Sequence, residues 1–214
     1  MNALRLKHPN IIQVYQVIGH SFSDIGFVVM ELSGYTNLES LLQYEILPFF
    51  IKLRYLKQTG IALEYCHRKG ILHLDVKPKN ITLAPNNICK LCDFGSSMPI
   101  ANAEISTSSR SIMGTLQYIA PELLRGKTPT EKSDTYAFGI TMWQVIHQEI
   151  PYEKEDSHVV VYKVVAQNYR PDTCALVSNT PANHIYKACW KAEPNERPSM
   201  SDVVIMLEKI TPVM

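Results

Sequence analysis

Ile71-Leu72-His73-Leu74-Asp75-Val76-Lys77-Pro78-Lys79-Asn80 sets one carboxylate, one ammonium and one amide in fixed order along a short loop. Thirteen positions after Asn80 comes Asp93-Phe94-Gly95, and past that Ala120-Pro121-Glu122. Each triplet alone is weak, but their order and spacing together are hard to reach by accident. The chemistry they suit is phosphoryl transfer to a hydroxyl. That reaction needs a carboxylate to orient the hydroxyl and accept its proton, metal ions across the phosphates, and positive charge on the developing oxyanions. Asp75 suits the first role. Lys77, two residues on in an extended loop, returns to the same side and can neutralise the transferred group. Asn80 and Asp93 offer hard oxygen ligands suited to Mg²⁺, and Gly95 lets the backbone turn so that Asp93 points inward.

Duller readings compete at each position. Asp75 alone would be a loop carboxylate bonded to nearby amides, and only its company with Lys77, Asn80 and Asp93 makes it a base. His73 lies between Leu72 and Leu74 and reads as a packed core histidine. Lys132 and Asp134 read as solvated charges ahead of a helix, with a bond from Asp134 to the central loop's backbone as the alternative. Glu122 and Arg197 read as a buried bidentate ion pair. Trp143 and Trp190 read as core.

The elements that must position these groups follow from periodicity. Residues 1–8 look like the last turns of a helix, stopped by His8-Pro9-Asn10. Residues 11–18 and 27–31 are rich in β-branched and aromatic side chains and predict two strands around a loop. Leu38, Leu41 and Leu42 mark a short amphipathic helix. Leu53, Leu56, Gly60, Leu63 and His67 share one face of a longer helix, ended at Gly70. Residues 81–83 and 88–91 predict a small hairpin around Pro85-Asn86-Asn87. Ser96 to Gly114 is serine-rich and reads as a long mobile loop. Residues 136–146 are apolar almost all round, which predicts a buried helix. Residues 158–167 favour strand by propensity, but their helical surroundings predict helix. Further helices are expected at about 182–191 and 199–210, the last opened by a Ser199–Asp202 capping box.

Composition bounds the function classes. The chain has 214 residues, 46% hydrophobic and 19% charged, as an ordinary globular protein does. Its formal net charge of +1, from 21 basic and 20 acidic residues, argues against a nucleic-acid partner. No run of about eighteen apolar residues suggests a membrane partner, and Met1 to His8 lacks the apolar core of a signal peptide. Of the cysteines Cys66, Cys89, Cys92, Cys174 and Cys189, only Cys89 and Cys92 form a Cys-x-x-Cys pair. No second pair completes a zinc site, so five reduced thiols and a cytoplasmic location are expected.

On these residues the chain resembles the eukaryotic protein kinase family, from His8-Pro9-Asn10 through to Arg197. The resemblance implies an α+β, mainly α fold: a protein-kinase-like C-lobe with a remnant of the N-lobe sheet. Residues 1–33 would be the N-lobe remnant and 34–214 the C-lobe. It implies ATP and Mg²⁺ as cofactors, with Met30 as gatekeeper, Glu31, Leu32 and Ser33 as the hinge that pairs with adenine, and Thr82 under the ring. The family more often has leucine there, and the threonine hydroxyl makes the floor slightly more polar. Lys77-Pro78-Lys79-Asn80 and Gly114-Thr115 are similar to the serine/threonine type.

Within that type, His73-Leu74-Asp75, Ala120-Pro121-Glu122-Leu123-Leu124 and Ile140-Thr141-Met142-Trp143-Gln144 most resemble the Mos kinases. That implies a kinase acting upstream in a MAP kinase cascade on a MAP kinase kinase; a monomer is expected separately from the resemblance. The family's usual motif has arginine where Leu74 stands, and leucine cannot hold a phosphate. Phosphorylation between Ser106 and Ser111 is therefore not expected to switch activity through this position.

The family's glycine-rich loop, Val-Ala-Ile-Lys strand and glutamate-bearing helix do not occur in the sequence. The chain as written is therefore expected to bind ATP weakly and turn over little, as a fragment or truncated form would. Two readings stand: a serine/threonine kinase catalytic region with Asp75 as base, and a non-catalytic protein-docking fragment. The first requires Asp75, Asn80 and Asp93 to converge beneath the two strands.

Overall fold

A computed structural model describes residues 2–19, 26–103, 114–172 and 180–210. Two strands, β1 (Val14–Gly19) and β2 (Gly26–Met30), form an antiparallel ribbon. After it the chain is mostly helical. A two-residue strand β3 (Thr36–Asn37) leads into α1 (Leu38–Tyr44), whose first turn is capped by the Asn37 side chain on the Ser40 N–H. The long helix α2 (Phe49–Arg68) follows, and Gly70, just past its end, sits at φ +70°. Then come β4 (Ile71–Leu72), β5 (Ile81–Ala84), β6 (Ile88–Leu91) and β7 (Met98–Pro99). The rest is α3 (Pro121–Leu124), α4 (Glu131–His147), α5 (Ser157–Gln167), α6 (Pro181–Cys189) and α7 (Met200–Glu208). Among the described residues β5 joins β3 to β6, and β4 pairs with β7. The fold is mainly α with small sheets, as the sequence implies.

The helix at 157–167 forms despite its valines, started by Asp156 accepting from the His158 and Val159 N–H groups. The Ser199–Asp202 capping box is present. Three expectations need correction. Residues 2–5 form a 3-10 turn rather than the end of an α-helix. The first strand starts at Val14, because Ile11 and Ile12 pair separately with Leu91 of β6. Residues 96–103 are ordered by a ladder, Ile71 to Pro99 and Leu72 to Met98, and by short 3-10 turns. The remainder of the expected mobile loop, including Ser106, Ser108, Ser109 and Ser111, lies outside the described residues, as does Cys174.

The core centres on α4. Every residue from Ser133 to Ile146 in that helix is buried, so it is apolar all round because it has no solvent face. It packs between α2 and α6, with Trp143 and Trp190 in the same core. That core extends without a break to Leu6, Ile11, Ile12 and Val14, beneath the two-stranded ribbon. No helix of the described residues is long and apolar enough to cross a membrane.

Two buried charges near the start of α4 hold the surrounding loops. Arg197, 1% exposed, makes the expected bidentate pair with Glu122 at 2.7 and 2.8 Å. Its remaining N–H groups go to the carbonyls of Lys191, Lys132 and Ala192, so all its hydrogens are used. Asp134 is fully buried rather than solvated. Its carboxylate accepts from the His73 N–H at 2.8 Å, the Leu74 N–H at 2.7 Å and His67 Nε2 at 2.9 Å. Lys132 is not a free surface charge either, since its ammonium donates to the Arg197 carbonyl.

Glu122→Gln leaves Arg197 buried without a counter-charge and is expected to cost about 3–5 kcal/mol in urea denaturation. A loss under about 1 kcal/mol would show that the backbone carbonyls alone hold the guanidinium. Asp134→Asn keeps one acceptor oxygen for two backbone N–H groups, so one of them is left unpaired. It is expected to lower stability by about 1–3 kcal/mol and to loosen amide-exchange protection at His73 and Leu74 before the rest of the core.

Candidate active site

The loop between β4 and β5 carries the candidate residues Asp75, Lys77 and Asn80, and its backbone is unusual at one point. Leu74 sits at φ +64°, a left-handed conformation that costs a non-glycine residue about 1–2 kcal/mol. The two N–H bonds to Asp134 stabilise that turn, and its effect is to present Asp75 next in the chain. His73 is a core residue, as read from the sequence: fully buried, edge-on to Phe94 at 4.7 Å, with Nε2 at 3.1 Å from the Cys92 carbonyl. Burial lowers its affinity for a proton, against the opposing pull of Asp134.

Asp75 is 9% exposed and caged on both oxygens. Oδ2 accepts from Lys77 Nζ at 2.8 Å and Asn80 Nδ2 at 2.8 Å, while Oδ1 accepts from the N–H and the hydroxyl of Thr115, each at 3.2 Å. Lys77 also donates to the Thr115 hydroxyl oxygen. Burial pushes the Asp75 carboxyl up, but Lys77, Asn80 and Thr115 together outweigh it and hold it below the ordinary carboxylate range. The group is an anion at neutral pH.

The structure thus brings Asp75, Lys77 and Asn80 together and adds Thr115, forty residues further on. Gly114 makes that approach possible. It sits at φ +104°, and a Cβ there would fall 2.9 Å from the Leu74 carbonyl oxygen. Sequence reading noted Gly114-Thr115 only as a likeness and gave Thr115 no role, because contact over that separation has no local signal.

Asp93 is different. It is exposed, and its carboxylate accepts from its own Gly95 N–H at 3.2 Å. No hydrogen bond joins it to Asp75 or Asn80 among the described residues. The sharp turn expected at Gly95 falls on Asp93 itself, at φ 59°, and leaves its side chain exposed rather than pointing inward. Its neighbour Cys92 is nevertheless tied to the loop, donating its N–H at 2.9 Å and its thiol at 3.3 Å to the Asn80 carbonyl. Burial pushes the Cys92 thiol up to about 11, so it is no thiolate. Cys89 is buried, and burial pushes its thiol up to about 12.

Beside this loop lies a cavity of about 310 Å³. Met30, Glu31, Leu32, Ser33 and Thr82 all line it, together with Cys92. The Glu31 N–H is committed to the Gln13 carbonyl at 2.9 Å, and its carboxylate holds the Gln13 N–H and the Lys90 ammonium. The Thr82 hydroxyl is shared between Ser33 Oγ and the Lys90 carbonyl, both at 3.2 Å. Its hydrogen is therefore satisfied by protein, and the polarity expected of that floor is partly taken up from behind.

The donor set fits a magnesium ion in one respect. Both Asn80 Nδ2 bonds go to Asp75, to Oδ2 and to the carbonyl, which fixes the amide and leaves its Oδ1 for an outside cation. Asp93 adds an exposed carboxylate. Among the described residues no group of three or more His, Cys, Asp or Glu side chains could hold a metal. The protein thus offers two hard oxygens rather than a cage, which is how Mg²⁺ is bound when phosphates and water complete its shell.

The chain is 38% identical to the serine/threonine-protein kinase mos of Patiria pectinifera, over 98% of its own length and 62% of that protein. It is 36% identical to the Xenopus laevis serine/threonine-protein kinase mos, over 98% of the chain and 62% of the relative. It is also 36% identical to the Rattus norvegicus proto-oncogene serine/threonine-protein kinase mos, over 92% and 63%. The chain therefore spans a little under two thirds of the length of these relatives. Residues 1–206 match the protein kinase domain, and the chain belongs to that family.

Proposed function

We propose that the chain is the catalytic region of a serine/threonine protein kinase, transferring the γ-phosphoryl group of ATP to a protein hydroxyl. The observation that carries this reading is the cage around Asp75. A buried carboxylate is held by an ammonium, an amide and a threonine from two separate segments, beside a cavity lined by every residue expected to contact the nucleotide. A docking fragment would have no use for burying and orienting those groups.

In this mechanism the substrate hydroxyl donates its hydrogen bond to Asp75, which takes the proton as the oxygen bonds to the γ-phosphorus. The bond from phosphorus to the bridging oxygen breaks, and ADP leaves. A carboxylate held below its usual range is a weak base, so its main contribution is to aim the nucleophile in a loose transition state. Lys77 sits on Asp75 and Thr115 within reach of the same space, and its charge offsets negative charge on the transferred group. Asn80 Oδ1 and Asp93 would hold Mg²⁺, which neutralises phosphate charge when bound. Glu31 and Ser33 would meet the adenine edge, with Met30 behind it and Thr82 beneath.

Residues 1–33 and 34–214 serve as the two lobes around this site. The likeness to the mos kinases supports a protein substrate of the MAP kinase kinase class, upstream in a MAP kinase cascade; the chain acts there as a cytoplasmic monomer.

Asp75→Asn is expected to leave ATP affinity within about twofold while lowering phosphoryl transfer by about 10²–10⁴-fold. A variant that transfers phosphate at the parental rate would remove Asp75 from the mechanism. Asp93→Asn should act the other way, weakening nucleotide binding in magnesium but not in its absence, as read by calorimetry. Identical loss in both conditions would take Asp93 out of the metal site. Changing Ser106, Ser108, Ser109 and Ser111 together to alanine is expected to leave the transfer rate unchanged, because Leu74 has no charge with which to bind a phosphate. Loss of activity in that variant would contradict the assignment.

A further inference from the structure

Ile140-Thr141-Met142-Trp143-Gln144 sets a threonine and a glutamine in the buried middle of α4. Thr141 is 0% exposed and Gln144 3%. Burying a hydroxyl or an amide costs free energy unless it is hydrogen-bonded, so the partners of these two groups show what they are for. A threonine inside a helix commonly donates to the carbonyl four residues back. Thr135 of the same helix does so, to Glu131 at 3.2 Å. Thr141 does not. Its hydroxyl leaves the helix and donates to the Val76 carbonyl at 3.2 Å, sixty-five residues away in sequence.

Val76 lies between Asp75 and Lys77 and is itself fully buried, so its carbonyl is closed off from bulk water. Three consecutive carbonyls of this loop each receive a donor. Asn80 serves the outer two, its Nδ2 going to Asp75 at 2.8 Å and its N–H to Lys77 at 3.0 Å. Both of those bonds are made within the loop. Among the described residues the middle carbonyl is held only by Thr141, which fixes this backbone from outside. A peptide group is planar, so holding the Val76 carbonyl also fixes the plane of the Lys77 N–H. From that plane Lys77 continues extended, at φ −162° and ψ 160°, and its ammonium lands on Asp75 Oδ2 at 2.8 Å.

Thr141 stands seven residues beyond Asp134 (134 to 141), about two turns, and so on the same side of α4. Asp134 holds the N–H groups of His73 and Leu74, and Thr141 the carbonyl of Val76, so one side of the helix grips the loop before and after Asp75. Gln144 extends the same pattern. Its Oε1 accepts from the Tyr118 hydroxyl at 2.5 Å, which ties to α4 the segment that supplies Thr115. Both parts of the cage around Asp75 are thus referred to one rigid element.

We infer that Thr141 is a positioning residue for phosphoryl transfer: its hydroxyl, through the Val76 carbonyl, sets the peptide plane from which Lys77 reaches Asp75. That role presupposes the assignment of Asp75 and Lys77 to the transfer step. Thr141 does not line the cavity bounded by Met30 and Thr82, so its loss falls on transfer rather than on nucleotide binding.

Thr141→Val keeps the branched shape and removes the hydroxyl, leaving the Val76 carbonyl without a donor. Thr141→Ser keeps the hydroxyl and removes the methyl. Transfer from MgATP to dephosphorylated casein is measured well below the melting temperature of each variant. The valine variant is expected to lower kcat by about 10–10²-fold with the KM for ATP within about twofold, and the serine variant to return kcat to within about threefold of the parent. Amide exchange reads the same tie without turnover. The Asn80 N–H, bonded to the Lys77 carbonyl, should exchange faster in the valine variant and at the parental rate in the serine one, with the centre of α2 unchanged in both. A valine variant with parental kcat would overturn the inference, as would a serine variant as slow as the valine one, since packing alone would then account for Thr141. No transfer by the parental chain would instead sink the kinase reading. The tie from Thr141 to the loop is then judged by exchange at Asn80, and an unchanged rate there overturns it.

Discussion

The site rests on one buried carboxylate that takes no part in the chemistry. Asp134 lies in the first turns of a helix with no solvent face, and its two oxygens are the acceptors for consecutive N–H groups of a loop far away in sequence. Without them the left-handed turn at Leu74 would lose the interaction that offsets its strain. An anion near a helix N-terminus is favoured by the aligned peptide dipoles, and His67 supplies a further hydrogen bond. These contributions keep Asp134 well on the charged side although burial alone would push its carboxyl up. The order of dependence runs from helix to carboxylate to loop backbone, and only then to Asp75.

The cage around Asp75 shows what that positioning achieves. A carboxylate with four donors cannot be a strong base, and strength is not what a loose phosphoryl transfer requires. Direction matters more. Lys77 and Asn80 hold one oxygen of Asp75 and Thr115 the other, so the carboxylate cannot rotate without breaking a charged bond. The same contacts join the Leu74–Asn80 loop to the segment at Gly114-Thr115. Any displacement of that segment withdraws two of the four donors and leaves Lys77 sharing Asp75 with Asn80 alone. The orientation of the Asp75 carboxylate and the placement of the segment are one physical state.

How much of this could be read beforehand depended on distance along the chain. The helices were legible because period and capping are local: the Ser199–Asp202 box, the apolar run that became α4, and the face through Leu53, Leu56 and Leu63. Asp75, Lys77 and Asn80 were legible because one short loop contains all three. Thr115 was not, since nothing near it in sequence says that it caps Asp75. Residues 96–103 read as loop because the strand that pairs them, Ile71–Leu72, lies on the far side of the catalytic loop and is only two residues long. Asp134 read first as a solvated charge, because aspartate at a helix start usually is one, and its bond to the central loop's backbone, offered only as the alternative, is what forms. Its burial follows from α4 being surrounded, a tertiary fact. The turn assigned to Gly95 fell on Asp93 because an aspartate in the left-handed region can accept from the N–H two residues on, which glycine cannot do.

The least secure wall of the cavity is the ribbon of β1 and β2. Two strands are marginal by themselves in water, and much of this ribbon's apolar surface is exposed: Tyr15 and Phe27 each at 63%. What seats it is a narrow attachment. Ile12 donates to the Leu91 carbonyl, Leu91 donates to the Asn10 carbonyl, and the Glu31–Lys90 pair closes the far side at 2.9 Å. All three ties end on β6, one strand of the small sheet that also carries Thr82 opposite Lys90. Lys90 is therefore shared between wall and floor: its ammonium fixes Glu31 and its carbonyl accepts the Thr82 hydroxyl. Because the pair with Glu31 is partly shielded from solvent rather than open to it, salt screens it less than a surface pair. The cavity's shape is set from the helical side, through β6, and the ribbon follows it.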